Sequence, residues 1–175
     1  GNDTLQITAD TSAGGLAFPG ASVSGIETLL VRNASGQTLT INSANIADET
    51  TFINDRSTSA LTLTNLANGT AVEQRGNEVA TIAALSGTYV AAATSGALNV
   101  TGGVLGGNNI TMNGSGLTSL AITSSGAANT VGNIDTNGNV TSVTIDASSN
   151  LTAGRVQVGT FKFRFPEAAG GGVED

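Results

Sequence analysis

The residues of this chain that could do chemistry are chiefly carboxylates. The chain has 13 acidic and 6 basic residues but no histidine and no cysteine, which removes thiol catalysis, histidine proton relays and the usual zinc sites. With Arg56 and Arg75, a shallow charged patch could be formed by Asp48, Glu49, Asp55, Glu73, Glu78, Asp135 and Asp146. Two carboxylates are enough for a glycosidase, but aromatic residues, on which sugar rings stack, make up only 3% of the chain. We therefore predict no catalytic residues and no enzymatic activity.

Calcium binding is a second kind of chemistry, indicated by the first ten residues, GNDTLQITAD. Gly1, Asp3 and Leu5 have the spacing that ends the calcium-binding nonapeptide pattern GGxGxDxUx. In this interpretation the Gly1 carbonyl and the Asp3 carboxylate are ligands, and Asp10 joins them. Calcium needs six to eight oxygens, which half a motif does not supply. We predict calcium as a cofactor on Gly1, Asp3 and Asp10, and the alternative is a plain Gly-Asn-Asp turn that leads into a strand.

The composition favours a thin, regularly layered core and excludes several partners. Hydrophobic residues make up 39% of the chain, tryptophan is absent, and charged residues make up only 11%, against about 25% in an ordinary domain. The net charge is −7, and the one short basic stretch is Lys162 to Arg164, so we expect no nucleic-acid partner. No apolar run approaches the roughly 20 residues that span a bilayer, so we expect no membrane span.

The elements that must position these residues are short strands in a repeat, most regular from Leu117 to Thr152. The runs LTSLAIT and VTSVTID alternate apolar residues with Thr or Ser, and stretches rich in Gly, Asn and Ser follow them, which is typical of strand and turn. Similar runs are QTLTI (37–41), ALTLTNL (60–66), VATIAAL (79–85) and GALNVTG (96–102). Their equivalent inward positions are Ile41, Leu63, Ile82, Val100, Ile122 and Ile145. The spacing of about twenty residues lies in the range of stacked repeats.

This repeat predicts an all-β fold, a parallel β-solenoid of about eight turns and roughly 40 Å. One turn cannot bury its own apolar face, whereas stacked turns share a core and pair their backbones. Asn65, Asn99 and Asn150 are expected to stack in line and to exchange amide hydrogen bonds between turns. A β-sandwich is the alternative, because short strands at regular spacing are typical of it as well. The stretch ETTFINDRSTSA, residues 49–60, is predicted to contain a helical turn.

The C-terminal stretch RVQVGTFKFRF departs from the repeat. We assign residues 1–165 to the solenoid domain, with residues 156–165 as a capping strand, and residues 166–175 to a flexible tail or linker. Three interpretations of the stretch stay open: a cap on the last turn, a strand added to another copy, or a surface patch for an anionic glycan. The residues that would act in each case are Phe161, Lys162, Phe163, Arg164 and Phe165.

Several phrases of the chain resemble the repeats of bacterial surface proteins. The segment Gly-Asn-Asp-Thr-Leu, followed by a linker, Ser-Gly-Ile-Glu-Thr-Leu and a Val-containing strand, resembles the repeating units of RTX-type and S-layer-like proteins. The phrases ALNVTGG, LTSLAITSSGAANTVG and VTSVTIDASSNLTAG resemble their Thr/Ala/Asn-rich strands. The resemblance covers nearly the whole chain up to about residue 155. It implies an extracellular β-solenoid scaffold, often calcium-dependent, that is exported by type I secretion. Glu27 belongs to the phrase Ser-Gly-Ile-Glu-Thr-Leu, and it is expected either to bond backbone amides at a turn or to help bind calcium.

Resemblance and composition together predict a non-catalytic, extracellular structural module at the bacterial cell surface. We expect it to be part of a surface layer, a matrix filament or a large repeat protein. Its partners would be copies of itself or the rest of a longer chain, with calcium controlling the assembly. The alternative is an adhesin-like module that binds a glycan, such as a cell-surface polysaccharide, or a host protein.

Overall fold

The computed structural model describes residues 1–10, 23–79 and 81–164. Within this part of the chain the regular elements are strands, except for one 3-10 turn at Ser43–Asn45. The strands are β1 Thr4–Ala9, β2 Thr28–Asn33, β3 Leu39–Asn42, β4 Thr51–Asp55, β5 Leu61–Leu66, β6 Ala71–Arg75, β7 Leu85–Tyr89, β8 Ser95–Thr101, β9 Ile110–Asn113, β10 Ser119–Ser125, β11 Asn129–Thr136, β12 Ser142–Ala147, β13 Leu151–Val158 and β14 Phe161–Arg164.

The strands form two sheets that the chain builds alternately. Sheet A has the order β1-β2-β4-β6-β8-β10-β12, and sheet B has the order β14-β13-β11-β9-β7-β5-β3. The strand pairs are parallel, apart from β13 and β14, which are antiparallel. From β2 to β13, consecutive strands belong to opposite sheets, so each new turn lies beside the previous one. This is a β-solenoid of about six turns. It confirms the predicted fold class with fewer turns than expected, and the parallel pairing excludes the antiparallel β-sandwich.

The turns are longer and less regular than the sequence predicts. One column of sheet A, followed through the strand register, contains Thr4, Thr28, Thr51, Ala71, Ala97, Ala121 and Thr144. The turns therefore contain between 20 and 26 residues. Each turn has to supply two strands and the corners between them, and corners at the surface tolerate changes of length.

The interior is a stack of apolar side chains, one layer for each turn. Because side chains alternate between the two faces of a strand, every second residue points inward. A column of sheet B that is nowhere more than 4% exposed contains Leu39, Leu61, Leu85, Ile110, Ile134 and Val156. A column of sheet A that is nowhere more than 1% exposed contains Leu29, Phe52, Val72, Leu98 and Ile122. Burial of one such side chain contributes about 1.5–3 kcal/mol, so each layer depends on the layers beside it.

Two predicted elements are wrong. The described residues of the run VATIAAL that precede Leu85 form no strand: Thr81 forms only an isolated bridge to Leu105, and β7 begins at Leu85, the last residue of the run. Within this corner Ile82 is buried, whereas Val79 is 82% exposed. The predicted helical turn in residues 49–60 is strand β4, which pairs with β2 on one side and β6 on the other. Pairing on both sides outweighs the local preference of the segment.

The predicted inward positions do not form a single column. Ile41 and Leu63 lie in sheet B, whereas Val100, Ile122 and Ile145 lie in sheet A. Ile145 is 44% exposed, because β12 is the last strand of sheet A. Each turn contains two strands, one in each sheet. Because the strands of the two sheets look alike in the sequence, the pattern predicts a repeat with one strand in each turn.

Tyr89, the single tyrosine, ties the two sheets together. It ends β7 in sheet B, is 2% exposed, and donates its hydroxyl proton to the Thr70 carbonyl at 2.7 Å. The same oxygen accepts from the Ala97 amide of β8 in sheet A at 3.3 Å. Gly96 leaves room for the ring, since a Cβ there would lie 2.6 Å from it. Burial raises the pKa of Tyr89 to about 12, and the hydrogen bond from Ala97 opposes that rise.

We expect the fold to lose stability in alkali through Tyr89. The pKa of a tyrosine is about 10 in an unfolded chain, so the contribution of the neutral phenol is fully present below pH 10 and is lost as the pH rises towards 12. The free energy of unfolding is expected to fall by about 2–3 kcal/mol over this range. Denaturant unfolding at pH 9 and pH 12 measures the change, together with tyrosinate absorbance, which only Tyr89 can give. The control is Tyr89→Phe, which cannot titrate; an equal loss with pH in that variant would contradict this role.

Candidate functional site

Three surface features of the solenoid are candidates for contact with a partner. The first is a charged cluster on the outer face of sheet A, defined by Asp55, Arg56, Glu73 and Arg75. The second is the group of acids at the start of β1. The third is the set of strand edges at the two ends of the stack.

The charged cluster has its acids beneath its arginines. Asp55 accepts from Nη2 of Arg56 at 2.7 Å and from Nε of the same residue at 3.1 Å, and this hydrogen bond and the charge of Asp55 raise the pKa of Arg56. Glu73 Oε1 accepts from Nε of Arg75 and from Oγ1 of Thr101, both at 2.7 Å. The arginine side chains are 42% and 36% exposed, against 6% and 13% for their carboxylates. The cluster therefore presents guanidinium groups to solvent.

The other acids of the predicted patch lie elsewhere. Asp135 pairs with Arg155 in sheet B, with Oδ1 and Nη2 2.7 Å apart. Asp48 accepts from a backbone amide at 3.4 Å, and Glu49 accepts from a serine hydroxyl. Asp146 belongs to β12 at the end of the stack. Glu78, the remaining acid of the predicted patch, lies in the corner after β6, where its amide donates to the Gly103 carbonyl at 2.9 Å. The prediction that the chain is not an enzyme remains a prediction.

The predicted calcium ligands lie at two separate places. Asp3 precedes β1 and Asp10 follows it, and an extended strand of this length sets them about 23 Å apart. Asp3 lies instead beside Glu27 of the next turn: its amide donates to Glu27 Oε2 at 2.7 Å, and its carbonyl accepts from the Glu27 amide at 3.2 Å. Glu27 therefore bonds a backbone amide, as one of its two interpretations predicts. In the described residues no group of three or more acidic side chains is placed to hold a metal ion, and calcium at Gly1, Asp3 and Asp10 stays a prediction.

Asparagine side chains on the strands connect neighbouring turns. Asn65 Nδ2 donates to Asn42 Oδ1 at 2.9 Å across 23 residues of chain. Asn99 Oδ1 accepts from a threonine hydroxyl of the next turn at 2.7 Å. The first contact confirms the amide hydrogen bond between turns that the sequence predicts for Asn65. Asn99 also bonds the next turn, but its partner is a threonine and not a second asparagine in line with it. Asn150 contacts the neighbouring turn through its backbone, whose carbonyl accepts from the Asn129 amide at 2.8 Å.

Asn129 carries the densest of these connections. It is 1% exposed at the start of β11. Its Nδ2 donates to the Val100 carbonyl and to the Ser124 hydroxyl, both at 3.0 Å. Its Oδ1 accepts from the amides of Gly103 at 3.0 Å and Val104 at 2.9 Å. One side chain thus satisfies the buried backbone of two turns at a corner, where the strand ladder has ended.

Strand edges remain unpaired at both ends of the described stack. The outermost strands are β1 and β3 at one end, and β12 and β14 at the other. In β12, Ile145 is 44% exposed, although its register neighbour Ile122 is 1% exposed. In β1, Leu5, Ile7 and Ala9 pack against the core and stay partly exposed. The sequence pattern predicts an inward position for Ile145, and the exposure of this side chain follows from the place of β12 as the last strand of sheet A.

The predicted cap or assembly residues lie in a hairpin at the end of sheet B. The strand Phe161–Arg164, β14, runs antiparallel to β13, with Phe163 opposite Val156. Gly159 has a φ of 57° and opens the two-residue loop between them, as a type II′ turn requires. Phe165 lies outside the described residues. Whether the hairpin caps the stack, adds to another copy or contacts a glycan stays open.

Comparison of the chain with models of protein families, with curated proteins and with solved structures finds no match. In the described ranges, no helix has the length and apolar character needed to span a membrane. The resemblance to RTX-type and S-layer-like proteins rests on the sequence phrases of the chain.

Replacement of Asn129 by alanine is expected to lower the free energy of unfolding by about 3 kcal/mol. The change leaves buried backbone donors and acceptors without partners, at a cost of about 1–3 kcal/mol each. Asn150→Ala is the matched control, because Asn150 is exposed and its expected effect is within about 0.5 kcal/mol. Denaturant unfolding measures both variants, and equal losses would contradict the role of Asn129 in joining turns.

Proposed function

We propose that this chain is a non-catalytic structural module that assembles with copies of itself at a bacterial cell surface. It would serve in a surface layer, a matrix filament or a large repeat protein. The observation that carries the proposal is that the described chain is one stack of turns with unpaired strand edges at its ends. An unpaired edge with apolar side chains is a template for another strand.

The architecture supports a role as a spacer. Seven strands in each sheet, at about 4.8 Å for each layer, give a stack of roughly 30 Å. The layers are bonded to one another through their backbones and, in addition, through side chains such as Asn65 and Asn129. A stack of this kind extends by adding layers, because each layer contacts only its neighbours.

The state of the carboxylates supports a non-catalytic role. Asp55, Glu73 and Asp135 are each held by an arginine at 2.7 Å. A general acid or a nucleophile has to reach its substrate, and these side chains are committed to their partners. Location outside the cell and dependence on calcium are supported by the resemblance of the sequence phrases to RTX-type and S-layer-like repeats.

Self-assembly is tested with the purified chain over a range of concentrations, in calcium and in EDTA. Sedimentation velocity measures association, and negative-stain electron microscopy shows its form. We expect association that grows with concentration and ordered fibres or sheets. A chain that stays monomeric throughout would contradict the proposal. If assembly is the same in EDTA as in calcium, the structural function stands and the proposed dependence on calcium is contradicted.

A second candidate function is binding of an acidic glycan, and the charged cluster favours it. Its exposed groups are guanidinium groups, and Arg32 on the neighbouring strand β2 is exposed as well. Arg32 follows Val31, which pairs with Asn54, so it lies beside Asp55 on the same outer face. Arginine suits planar carboxylate or phosphate groups, which it can contact through two donors.

Arg32→Ala is expected to weaken binding to acidic polysaccharides by about fivefold or more on a glycan array, since one charge-assisted contact is lost. Arg155→Ala is the control of matched chemistry, because Arg155 lies in sheet B. An array without any signal, or an equal loss in both variants, would contradict this second candidate.

A further inference from the structure

We infer that copies of this chain stack head to tail, with β1 of one copy added in parallel to the free edge of β12 of another. The inference rests on the proposed self-assembly and deepens it: the partner is a second copy, and the contact is a strand pair of defined register. Both strands are outermost in sheet A, at opposite ends of the stack.

The two strands match in length and pattern. Strand β1 reads TLQITA and strand β12 reads SVTIDA, six residues each. Both begin with a hydroxyl residue, place apolar residues second, fourth and sixth, and place polar residues between them. The apolar residues belong to the inner row, because Leu5 stands in register with buried Leu29, and Ile145 with buried Ile122. Pairing of the two edges would therefore continue the apolar interior from one copy into the next.

Burial of charge selects the register of this pair. Followed through the strands of one copy, the column of Leu5 ends at Ile145. If a second copy kept that column, its Asp3 would enter the inner row beside Val143, where a carboxylate is costly to desolvate.

A shift of two residues avoids this cost and keeps every inner side chain on the inner face, since the strand period is two. It places Leu5 beside Val143, Ile7 beside Ile145 and Ala9 beside Ala147. On the outer face it places the Thr8 hydroxyl beside the Asp146 carboxylate, a donor beside an acceptor. We therefore assign the shifted register to the contact.

The C-terminal end leaves a place for an added strand of sheet A. There sheet B extends one strand further than sheet A, because β14 lies beyond the layer of β12 and β13. A strand that pairs with the free edge of β12 would lie in the layer of β14, across the stack from it. In a head-to-tail stack, β1 of the next copy takes this place.

The extra strand of sheet B also disfavours a twofold dimer through β12. If β12 of one copy paired directly with β12 of another, no layer would remain between the two copies to hold β14 of either one. A contact between unlike ends does not close on itself and generates a filament. Seven layers of sheet A for each copy give an axial repeat of about 34 Å.

The register is tested by disulfide cross-linking, for which the chain offers a clean background because it contains no cysteine. Gln6→Cys and Thr144→Cys are purified separately, mixed and oxidised. Neighbours on paired strands lie about 4.8 Å apart, within the Cα distance of a disulfide, so we expect a linked dimer in the mixture and little in either protein alone. Thr4→Cys mixed with Thr144→Cys reports the unshifted register. A dimer from that mixture in place of the first would overturn the register.

The contact itself is tested by a charge at the edge. Ile145→Lys is expected to weaken self-association by about tenfold or more in sedimentation equilibrium. Val79→Lys is the matched control, since Val79 is 82% exposed in a corner, and we expect it to associate like the parent chain. Circular dichroism confirms that both variants fold.

The outcomes separate this inference from the proposed function. Association that persists in Ile145→Lys, with no cross-link from either cysteine mixture, overturns the head-to-tail contact and leaves self-assembly standing. A parent chain that never associates overturns both. Loss of association in Ile145→Lys, retained association in Val79→Lys and a dimer from Gln6→Cys with Thr144→Cys support the inference.

Discussion

A single turn of this chain has no interior of its own, and the rest of the structure depends on neighbouring turns to supply one. Each turn gives one inward row to each sheet, and a side chain such as Phe52 or Leu61 is fully buried only because rows lie on both sides of it. The same neighbours satisfy the backbone, since almost every strand bonds to a strand of an adjacent turn. Apolar contacts and backbone hydrogen bonds therefore connect layers along the axis of the stack. A single layer can complete neither of them by itself.

The corners extend this dependence to places where strands end. Asn129 bonds the backbone of the preceding turn with both ends of its amide. Tyr89 reaches from sheet B to the carbonyl of Thr70 and the amide of Ala97, and the missing side chain of Gly96 makes room for it. These side chains fix the position of each turn relative to the next. The outer faces, including the charged cluster, are therefore supported by contacts beneath them.

At the ends of the stack, the outermost strands have a neighbouring turn on one side only. Ile145 occupies an inner row that has no further strand of sheet A beyond it in the described chain, and it stays 44% exposed. Natural edge strands are commonly protected by inward charges, prolines or bulges. The inner row of β12 contains none of these, since its residues are Val143, Ile145 and Ala147. An end with this composition favours a further strand, and β1 is a strand of the same pattern.

The fold class could be predicted from the sequence because alternation of apolar and hydroxyl residues, as in LTSLAIT and VTSVTID, is a local signal of a strand. The number of strands in each turn could not be predicted, because strands of the two sheets have the same sequence pattern. Leu63 in sheet B and Ile122 in sheet A, for example, are both followed by a threonine. Strand β4 was mistaken for a helical turn since its partners β2 and β6 lie 20 or more residues away. The charged cluster was foreseen as part of a larger patch, but only strand register decides that Asp55 meets Arg75 and that Asp135 does not join them.

The dependence of each turn on its neighbours is tested most directly by hydrogen exchange, measured along the chain at low and at high concentration. Amides of the central strands β4 to β10 are expected to exchange slowly in both conditions. Amides of β12 and β1 that face away from the stack are expected to exchange quickly in dilute solution and to gain protection together as the concentration rises. Slow exchange of β12 in the dilute chain, or central strands that exchange as fast as the ends, would contradict a stack whose layers are stabilised by the layers beside them.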